Sequence, residues 1–368
     1  MDQDSVYIPV TTLRRFIRDF LIKVGVPADD AEICADVIIE SDKRGIESHG
    51  IGRLKYYYDR IKSGQHKVVT KFEVVKETPT TAVVDGHHGM GMVIGTRSMQ
   101  MAIDKAKTYG LGCVAVRNST HYGIAGYYPT MAVKQGMIGM SVTNARPSVS
   151  PTFGVEPILG TNPIAFGAPT DEDFPFLYDA ATPITQRGKI EVLTREEKPI
   201  PVGWVINQDG NPITEPAETL TALSEKTASL LPLGGFGEVL GGHKGYGLGT
   251  MVEILSASLQ SGTFLQALSG FSPDGIAQPF RVGHFFLAIN IEFFVPLEEF
   301  KHTTGKLLRE LRNSNRAPGN PRIYTAGEKE FEMGKITSQR GIRIIPNLQK
   351  EIKYLQKELD LKDYEFPF

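Results

Sequence analysis

Short apolar runs alternate with helix-like segments between residues 75 and 143, and this alternation constrains the fold most. The runs TAVVDG, GCVAVR and MIGMSVTN have the composition of strands, and the helical patterns at 94–109 and 124–135 each end at a glycine. Alternating strands and helices are typical of proteins built around a sheet that is covered by helices. We therefore predict an α/β architecture for this part of the chain.

The first 60 residues have helical periodicity instead. Apolar side chains recur at the spacing of one helix face, at Leu13, Phe16, Ile17, Phe20 and Leu21. Further helices are predicted from about residue 27, at 245–260, at 298–311 and through the tail at 348–359. At roughly 150 residues per domain, the 368 residues indicate about two domains.

Charge and cysteine content argue against several classes of protein. The 40 Lys and Arg residues nearly balance the 42 Asp and Glu residues, so binding to nucleic acid through phosphate neutralisation is not expected. Cys34 and Cys113 lie far apart and form no CxxC pair, which argues against a disulfide scaffold and a zinc–thiolate site and suits a reducing compartment. No signal peptide, membrane-spanning run or metal-ligand spacing is visible. We predict a cytoplasmic protein without a membrane, nucleic-acid or metal partner.

The glycine-rich segments lack the spacing of a dinucleotide-binding Rossmann motif. GHHGMGMVIG at 86–95 has the spacing GxGxxxG, and GYGLG at 245–249 also departs from GxGxxG. Neither is followed by the acidic residue that the motif requires about 20 residues later. We expect any nicotinamide cofactor to bind in another way.

Most of the eight histidines have a structural explanation. His87 and His88 lie in a glycine turn. His66 and His302 have polar neighbours and are expected to be exposed. His284, within VGHFFLAINI, is expected to be a hydrogen-bonded core residue.

The segment ESHGIGR contains the densest set of reactive groups. His49 can move a proton near neutral pH, and Arg53 can bind a carboxylate through two parallel hydrogen bonds. A helix-end cap with a surface arginine explains the same residues equally well. His121 follows the strand-like run at 112–117, where open α/β sheets bind ligands, although a structural role is commoner for one such histidine.

Two other positions suit a cofactor or a proton relay. His243 and Lys244 in GGHKG precede a helix, where backbone N–H groups and a cation suit a phosphate; a solvated turn is the alternative. Asp179 in FLYDAATP directly follows a strand-like run. It can orient an imidazole, or it can cap a turn.

Eight segments, taken in order, resemble the type-2 malate/L-lactate dehydrogenase family, which also contains sulfolactate, ureidoglycolate and diketogulonate enzymes. They are SHGIGRL (48–54), DGHHGMGMVIG (85–95), NSTHYGIAGYY (118–128), GTNPIAFGAPT (160–170), DAATP (179–183), RGKI (187–190), GGHKGYGL (241–248) and AGE (326–328). The resemblance runs from about residue 8 to 346. Ala326 and Pro183 depart from the usual family pattern and affect the cofactor loops, not the class.

The resemblance implies an α/β (α+β) fold with a non-Rossmann NAD(P)-binding domain, built on a mixed β-sheet, and a mainly helical second domain. It assigns residues 1–76 with 243–322 to the helical domain and residues 77–242 with 323–368 to the α/β domain. It also implies NAD (or NADP) as the cofactor and a homodimer in which both subunits line the site. The sequence leaves the choice between the two cofactors open.

The resemblance also implies catalytic roles. The proton carrier would be His49, with Ser48 beside it, or His121, and Asp179 would be a relay partner. The cofactor contacts would come from a larger set, namely Asn144, Thr161, Asn162, Pro163, Asp179, Ala180, Ala181, His243, Lys244, Gly327 and Glu328.

For the substrate, the resemblance implies that Arg53 binds the carboxylate and that Tyr57 lines the pocket. A second acidic group would need a second cation, and the candidates are Arg146, Arg187 and Lys244.

These assignments predict an NAD(P)-dependent, malate dehydrogenase-like oxidoreductase that moves a hydride between C2 of an (S)-2-hydroxy acid and nicotinamide. The segments NARPSVSPTFGVEP, IPVGWVINQDG and GGHKGYGL favour the malate and sulfolactate branch. The alternative is an NADPH-dependent reductase of another 2-keto acid or cyclic imine acid, of the sulfolactate, ureidoglycolate or diketogulonate type. A non-catalytic dimeric protein is disfavoured by the intact set Ser48, His49, Arg53, His121 and Asp179.

Overall fold

The structure, a computed structural model, describes residues 4–272 and 274–368. The strands are β1 (Val6–Ile8), β2 (Glu73–Glu77), β3 (Thr81–Asp85), β4 (Leu111–Ser119), β5 (Met137–Thr143), β6 (Ile164–Ala168), β7 (Phe176–Ala180), β8 (Val205–Asn207), β9 (Ala228–Leu230), β10 (Val282–Asn290) and β11 (Ile342–Ile344). The helices are α1 (Val10–Lys23), α2 (Ala28–Lys43), α3 (Leu54–Lys62), α4 (Gly91–Tyr109), α5 (Tyr127–Val133), α6 (Arg187–Arg195), α7 (Pro216–Glu225), α8 (Gly242–Ala257), α9 (Leu297–Arg312), α10 (Glu328–Arg340) and α11 (Pro346–Glu358).

The largest sheet has seven strands in the order β2-β3-β4-β10-β5-β6-β7. Strands β3 and β4, which are connected through α4, pair in parallel. The other neighbouring strands in this sheet pair antiparallel. The mixed sheet confirms the predicted α/β class, and its order differs from that of a parallel, doubly wound Rossmann sheet.

Helices cover both faces of this sheet. Successive residues of a strand point to opposite faces, so Phe286 and Ala288 of β10 join the core that α4 and α5 cover. Gly283 of β10 points to the other face, which α8 covers. A Cβ at Gly283 would lie 1.7 Å from the carbonyl oxygen of Ser256, so only glycine allows α8 to pack this closely.

The N-terminal helices pack with the C-terminal tail. Strand β1 pairs antiparallel with β11, and one apolar core contains residues of α1, α2 and α11, among them Phe16, Phe20, Ile38, Ile352 and Leu355. This packing joins the tail to the N-terminal helices, whereas β10 lies within the large sheet. Both contacts cross the boundaries predicted for 243–322 and 323–368. The division into two domains stays a prediction.

A third apolar core lies in the segment between β5 and α8. Strands β8 and β9 pair antiparallel, and α6 and α7 pack against each other. Buried side chains of these elements, among them Ile190, Val205 and Leu230, form one cluster with Val149 and Leu159, which precede β6.

Several segments converge on one edge of the large sheet. Strands β4 and β5 both run antiparallel to β10, so both end beside its first residues. Strand β6 begins and β7 ends at the same edge, because Ile164 pairs with both Val142 and Ala180. This edge therefore brings together four of the segments that were predicted to bind substrate or cofactor, 119–121, 144–146, 160–163 and 179–181.

Candidate active site

The loop that contains His49 is fixed by a buried aspartate. Residues 47–53 form two short 3₁₀ turns between α2 and α3. The backbone N–H of Ile51 donates to Oδ2 of Asp42 at 2.7 Å. A Cβ at Gly50 would lie 1.8 Å from Oδ1 of Asp42, so only glycine fits against this carboxyl group. Asp42 is 5% exposed, and loss of hydration raises its pKa to about 8.

His49 and His121 form a stacked pair. Their ring centroids are 5.5 Å apart, and the ring planes are inclined by 25°. The Oγ atom of Ser48 lies 2.8 Å from Nδ1 of His49, and Nε of Arg53 donates to the carbonyl oxygen of Ser48 at 2.6 Å. Because the serine engages Nδ1, Nε2 is the nitrogen of His49 left to exchange a proton with a ligand.

A buried tyrosine orients the second imidazole. The hydroxyl of Tyr57 lies 2.8 Å from Nδ1 of His121, and the backbone N–H of Gly123 donates to the same nitrogen at 3.3 Å. Tyr57 has no exposed surface. It therefore holds His121 from the protein interior and does not line an open pocket, contrary to what the resemblance implied. Again, Nε2 is the ring nitrogen left for a ligand.

Both imidazoles have lowered pKa values. Loss of hydration and the positive charge of Arg53 lower the pKa of His49 to about 4. Loss of hydration, together with His49 and Arg53, lowers the pKa of His121 well below its ordinary value. Both rings are therefore neutral at pH 7, the form that can accept a proton from a hydroxyl group.

Arginine and aromatic side chains alternate beside this pair. The Tyr56 ring lies 6.1 Å from the ring of His121. The Cζ atoms of Arg53 and Arg60 lie 5.9 and 5.2 Å from the Tyr56 centroid. The Cζ atoms of Arg60 and Arg146 lie 4.8 and 5.5 Å from the Phe280 centroid. We call Arg53, Tyr56, Arg60, Phe280 and Arg146 the arginine–aromatic cluster. Within 4–272 and 274–368, no carboxylate forms an ion pair with any of its three arginines.

Tyr56, Arg60 and Phe280 were not among the site residues predicted from the sequence. Arg53, Tyr56 and Arg60 follow the spacing i, i+3, i+7 on one helix face, and that spacing was the available signal. Phe280 reaches the cluster through the tertiary fold, because it precedes β10 at the sheet edge where β4 and β5 end.

The prediction that His66 is exposed was wrong. Its side chain is buried, with 2% of its surface exposed, and it packs beside the rings of Tyr56, Tyr57 and Phe280. Neither ring nitrogen has a hydrogen-bond partner among the described residues. Loss of hydration and the charge of Arg60 lower the pKa of His66 to about 3, so the ring is neutral.

Two other histidines agree with the sequence analysis. His284 is fully buried and lies 2.8 Å from both Oγ1 of Thr143 and Oγ of Ser119, as a core histidine should. The side chain of His302 is 72% exposed.

Asn144 and Asn162 use their side chains within the protein. Their amide groups donate to the buried carboxylate of Glu253 in α8 at 3.3 and 2.8 Å. Their side-chain oxygens accept the backbone N–H groups of Gly283 and Ala145. Both asparagines are buried, so these side chains fasten α8 to the sheet edge, and backbone groups are what remains there for a cofactor.

Asp179 does not contact the histidine pair. Its Oδ2 atom accepts the backbone N–H of Gly126, before α5, at 2.6 Å. Among the described residues it has no hydrogen bond to His49 or His121. It lines instead a cavity that is also bordered by Arg44 and by residues within 324–330, where α10 begins.

The remaining candidates differ in their surroundings. Glu328 is buried in an ion-pair network with Arg322 and Arg312. Arg187 is exposed and pairs with Glu191. The others lie at the sheet edge or at the start of α8: half-buried Thr161, Pro163, Ala180 and Ala181, and exposed His243 and Lys244.

The described residues contain neither a membrane-spanning helix nor a cluster of metal-ligating side chains. No helix in this part of the chain is both long enough and apolar enough to cross a membrane. The same residues contain no group of three or more His, Cys, Asp or Glu side chains arranged to hold a metal ion.

Comparison with known proteins identifies the family. A sequence profile described as malate/L-lactate dehydrogenase matches residues 8–353. The chain belongs to the malate/L-lactate dehydrogenase family. It is therefore an oxidoreductase that acts on a CH–OH group, and the resemblance carried by the eight segments is confirmed.

Relatives within this family match over nearly the whole chain. Malate dehydrogenase from Pyrococcus horikoshii is 47% identical over 362 residues, 98% of each protein. L-sulfolactate dehydrogenase from Methanocaldococcus jannaschii is 41% identical and covers 95% of this chain and 97% of its own. The crystal structure of malate dehydrogenase from Entamoeba histolytica has a TM-score of 0.93 at 44% identity, covering 99% of this chain and 100% of that one.

The names of two other relatives specify a cofactor. Ureidoglycolate dehydrogenase (NAD(+)) from Escherichia coli is 30% identical and covers 92% of each protein. (2R)-3-sulfolactate dehydrogenase (NADP(+)) from Chromohalobacter salexigens is 34% identical and covers 74% of this chain and 77% of its own. Both nicotinamide cofactors thus occur among the relatives.

Proposed function

We propose that the protein is an NAD(P)-dependent malate dehydrogenase, which interconverts an (S)-2-hydroxy acid with two acidic groups and its 2-keto acid. One observation carries the proposal: two neutral, stacked imidazoles lie beside arginines that have no carboxylate partner among the described residues. A proton acceptor next to unpaired cations suits a hydroxy acid whose acidic groups supply the missing negative charges.

In this proposal Arg53 anchors the carboxylate next to the reacting carbon. Nε2 of His49 or His121 then accepts the hydroxyl proton, and in the reverse direction the imidazolium returns it to the keto oxygen. Ser48 and Tyr57 hold the two rings through their Nδ1 atoms. Arg146 extends the positive region toward a second acidic group.

The residues around 324–330, where α10 begins, fit a nicotinamide dinucleotide. Two cations border the cavity there: Arg44, which pairs with Glu40, and Lys329, which has no carboxylate partner within the described residues. The carboxyl groups of Asp179 and Glu330 also border it. Arg44 and Lys329 would hold the diphosphate, and Tyr178, Asp179 and Gly327 would form the adjoining wall. When it is bound, the nicotinamide ring supplies the hydride acceptor at the substrate carbon. The choice between NAD and NADP stays open.

A homodimer is the proposed assembly. The exposed side of α8 carries Leu248, Met251 and Ile254, and the preceding loop carries Val239 and Leu240, which are 98% and 73% exposed. An apolar surface of this kind is typical of a contact with a second subunit. A cytoplasmic location stays a prediction.

The proposal is tested by oxaloacetate-dependent oxidation of NADH and NADPH. We expect activity in the unmodified protein and a loss of about 100-fold or more in His49→Ala and His121→Ala, because each removes a candidate proton carrier. Thermal unfolding checks that both variants fold. His302→Ala, which changes an exposed histidine, is the matched control. Full activity in both site variants would overturn the proposal.

Sulfolactate is a second candidate substrate. A sulfonate is an anion that the same arginines can bind, and the sulfolactate relative from Methanocaldococcus jannaschii is 41% identical. A panel of malate, sulfolactate and lactate, each measured with both cofactors, separates the candidates by kcat/KM.

A further inference from the structure

The guanidinium group of Arg60 is held in a fixed position and has no carboxylate partner among the described residues. It lies against two aromatic rings, those of Tyr56 and Phe280, at 5.2 and 4.8 Å from their centroids. Its Nη1 atom donates to Oε1 of Gln65, which is 1% exposed. Gln65 is itself fixed, because its amide donates to the carbonyl oxygens of Gly270 and Gln278. Stacking and this hydrogen bond hold the guanidinium in place, while its other N–H donors have no partner among the described residues.

Arg60 lies on the same side of α3 as Arg53. The two residues are seven positions apart, which is two helical turns or about 10 Å along the axis. Both guanidinium groups lie beside the Tyr56 ring, at 5.9 and 5.2 Å from its centroid, and this ring also packs against His121. Arg60 is therefore placed beyond the carboxylate anchor, on the side away from Ser48.

A second observation points to a ligand at this place. His66 packs beside the same two rings as Arg60, is 2% exposed and has no hydrogen-bond partner for either nitrogen among the described residues. A buried imidazole usually has such a partner. An acidic group held by Arg60 would give His66 an acceptor for its N–H group.

We propose that Arg60, with Arg146 beside it, binds the distal acidic group of the substrate and so selects dianionic over monoanionic 2-hydroxy and 2-keto acids. The inference rests on the proposed function, and it assigns the discrimination to Arg60, on α3. A monoanionic substrate such as pyruvate reaches Arg53 alone and leaves Arg60 unpaired. A dianionic substrate adds charge-assisted hydrogen bonds at the second guanidinium.

The test compares oxaloacetate with pyruvate as substrates of the full chain. In Arg60→Gln, kcat/KM for oxaloacetate is expected to fall about 10- to 100-fold, mainly through KM, as for the loss of a charge-assisted hydrogen bond. The value for pyruvate is expected to stay unchanged, so the ratio of the two falls by the same factor. Lys62→Gln removes a cation from an exposed position of the same helix and should leave the ratio unchanged.

Three results would overturn the inference. The first is an equal loss of activity toward both substrates in Arg60→Gln, which would indicate a structural role. The second is an unmodified protein that reduces oxaloacetate without preferring it to pyruvate. In either case the proposed function stands. The third is an unmodified protein that reduces no 2-keto acid, in which case the proposed function fails as well. If Arg60→Gln does not fold, the ratio measured in Arg60→Lys, which lacks the planar fork, decides in the same way.

Discussion

The hydroxyl of Tyr57 is the group whose removal tests the imidazole geometry most directly. It lies 2.8 Å from Nδ1 of His121, and the residue has no exposed surface. In Tyr57→Phe we expect kcat/KM for oxaloacetate to fall about tenfold, because one hydrogen bond that orients the ring is lost. Steady-state kinetics at several pH values measure the effect, and the pH profile should shift as well.

Tyr58→Phe is the matched control for this prediction. Tyr58 is the next residue of α3, and its hydroxyl donates to Glu358, away from the histidine pair. If the two variants lost the same activity with an unchanged pH profile, the hydroxyl of Tyr57 would have no special role in positioning His121.

Single residues show where sequence reasoning succeeds at this scale. The motif SHGIGRL and the strand-end histidine led to His49, Arg53 and His121, and the structure brings these three together. Their catalytic role stays a prediction. His66 was wrongly predicted to be exposed because its sequence neighbours are polar. The rings that bury it come from α3 and from Phe280.

At the scale of elements, local sequence patterns predicted individual helices and strands correctly but did not predict which strands pair. The predicted helix at 94–109 is α4, which begins three residues earlier at Gly91, and the one at 124–135 is the shorter α5. Nothing local indicated that VGHFFLAINI forms β10 between β4 and β5. Strand order depends on contacts between distant segments, and periodicity carries no information about them.

The junction between α2 and the 47–53 loop should make stability depend on pH. The pKa of Asp42 is raised to about 8 in the folded protein, so the native state holds this proton more tightly than the unfolded chain does. The protonated Asp42 side chain stabilises the folded protein fully below the ordinary carboxyl pKa. This contribution to the free energy of unfolding is lost as the pH rises toward 8, by at most about 1.4 kcal/mol per pH unit.

Asp42→Asn removes this titration and keeps an oxygen for the N–H of Ile51. We therefore expect Tm of the variant, relative to the unmodified protein, to increase steadily from pH 5 to pH 8. Calorimetry at a series of pH values measures the difference. Asp59→Asn, which changes an exposed carboxylate paired with Lys55, should show no such trend. A constant difference for Asp42→Asn would contradict the burial argument.

For the whole molecule, the proposed dimer is the feature most open to a direct test. Met251 and Ile254 are 40% and 53% exposed on α8, whose opposite side packs on the sheet. Met251→Glu combined with Ile254→Glu should give a monomer in light scattering, because two carboxylates would have to be buried at the contact. Ile336→Glu, at an exposed apolar position of α10, should leave the mass unchanged. A monomeric unmodified protein would refute the dimer.

The position of β10 in the large sheet has a consequence for synthesis of the chain. Strands β4 and β5 are complete at residue 143, but the strand that separates them spans Val282–Asn290. During translation each of the two strands therefore keeps one open edge until the ribosome has added about 140 more residues, and open edges invite pairing with other chains. The sheet can be completed only late in synthesis, when β10 has been made. A nascent chain stopped before residue 282 should therefore be aggregation-prone and dependent on chaperones.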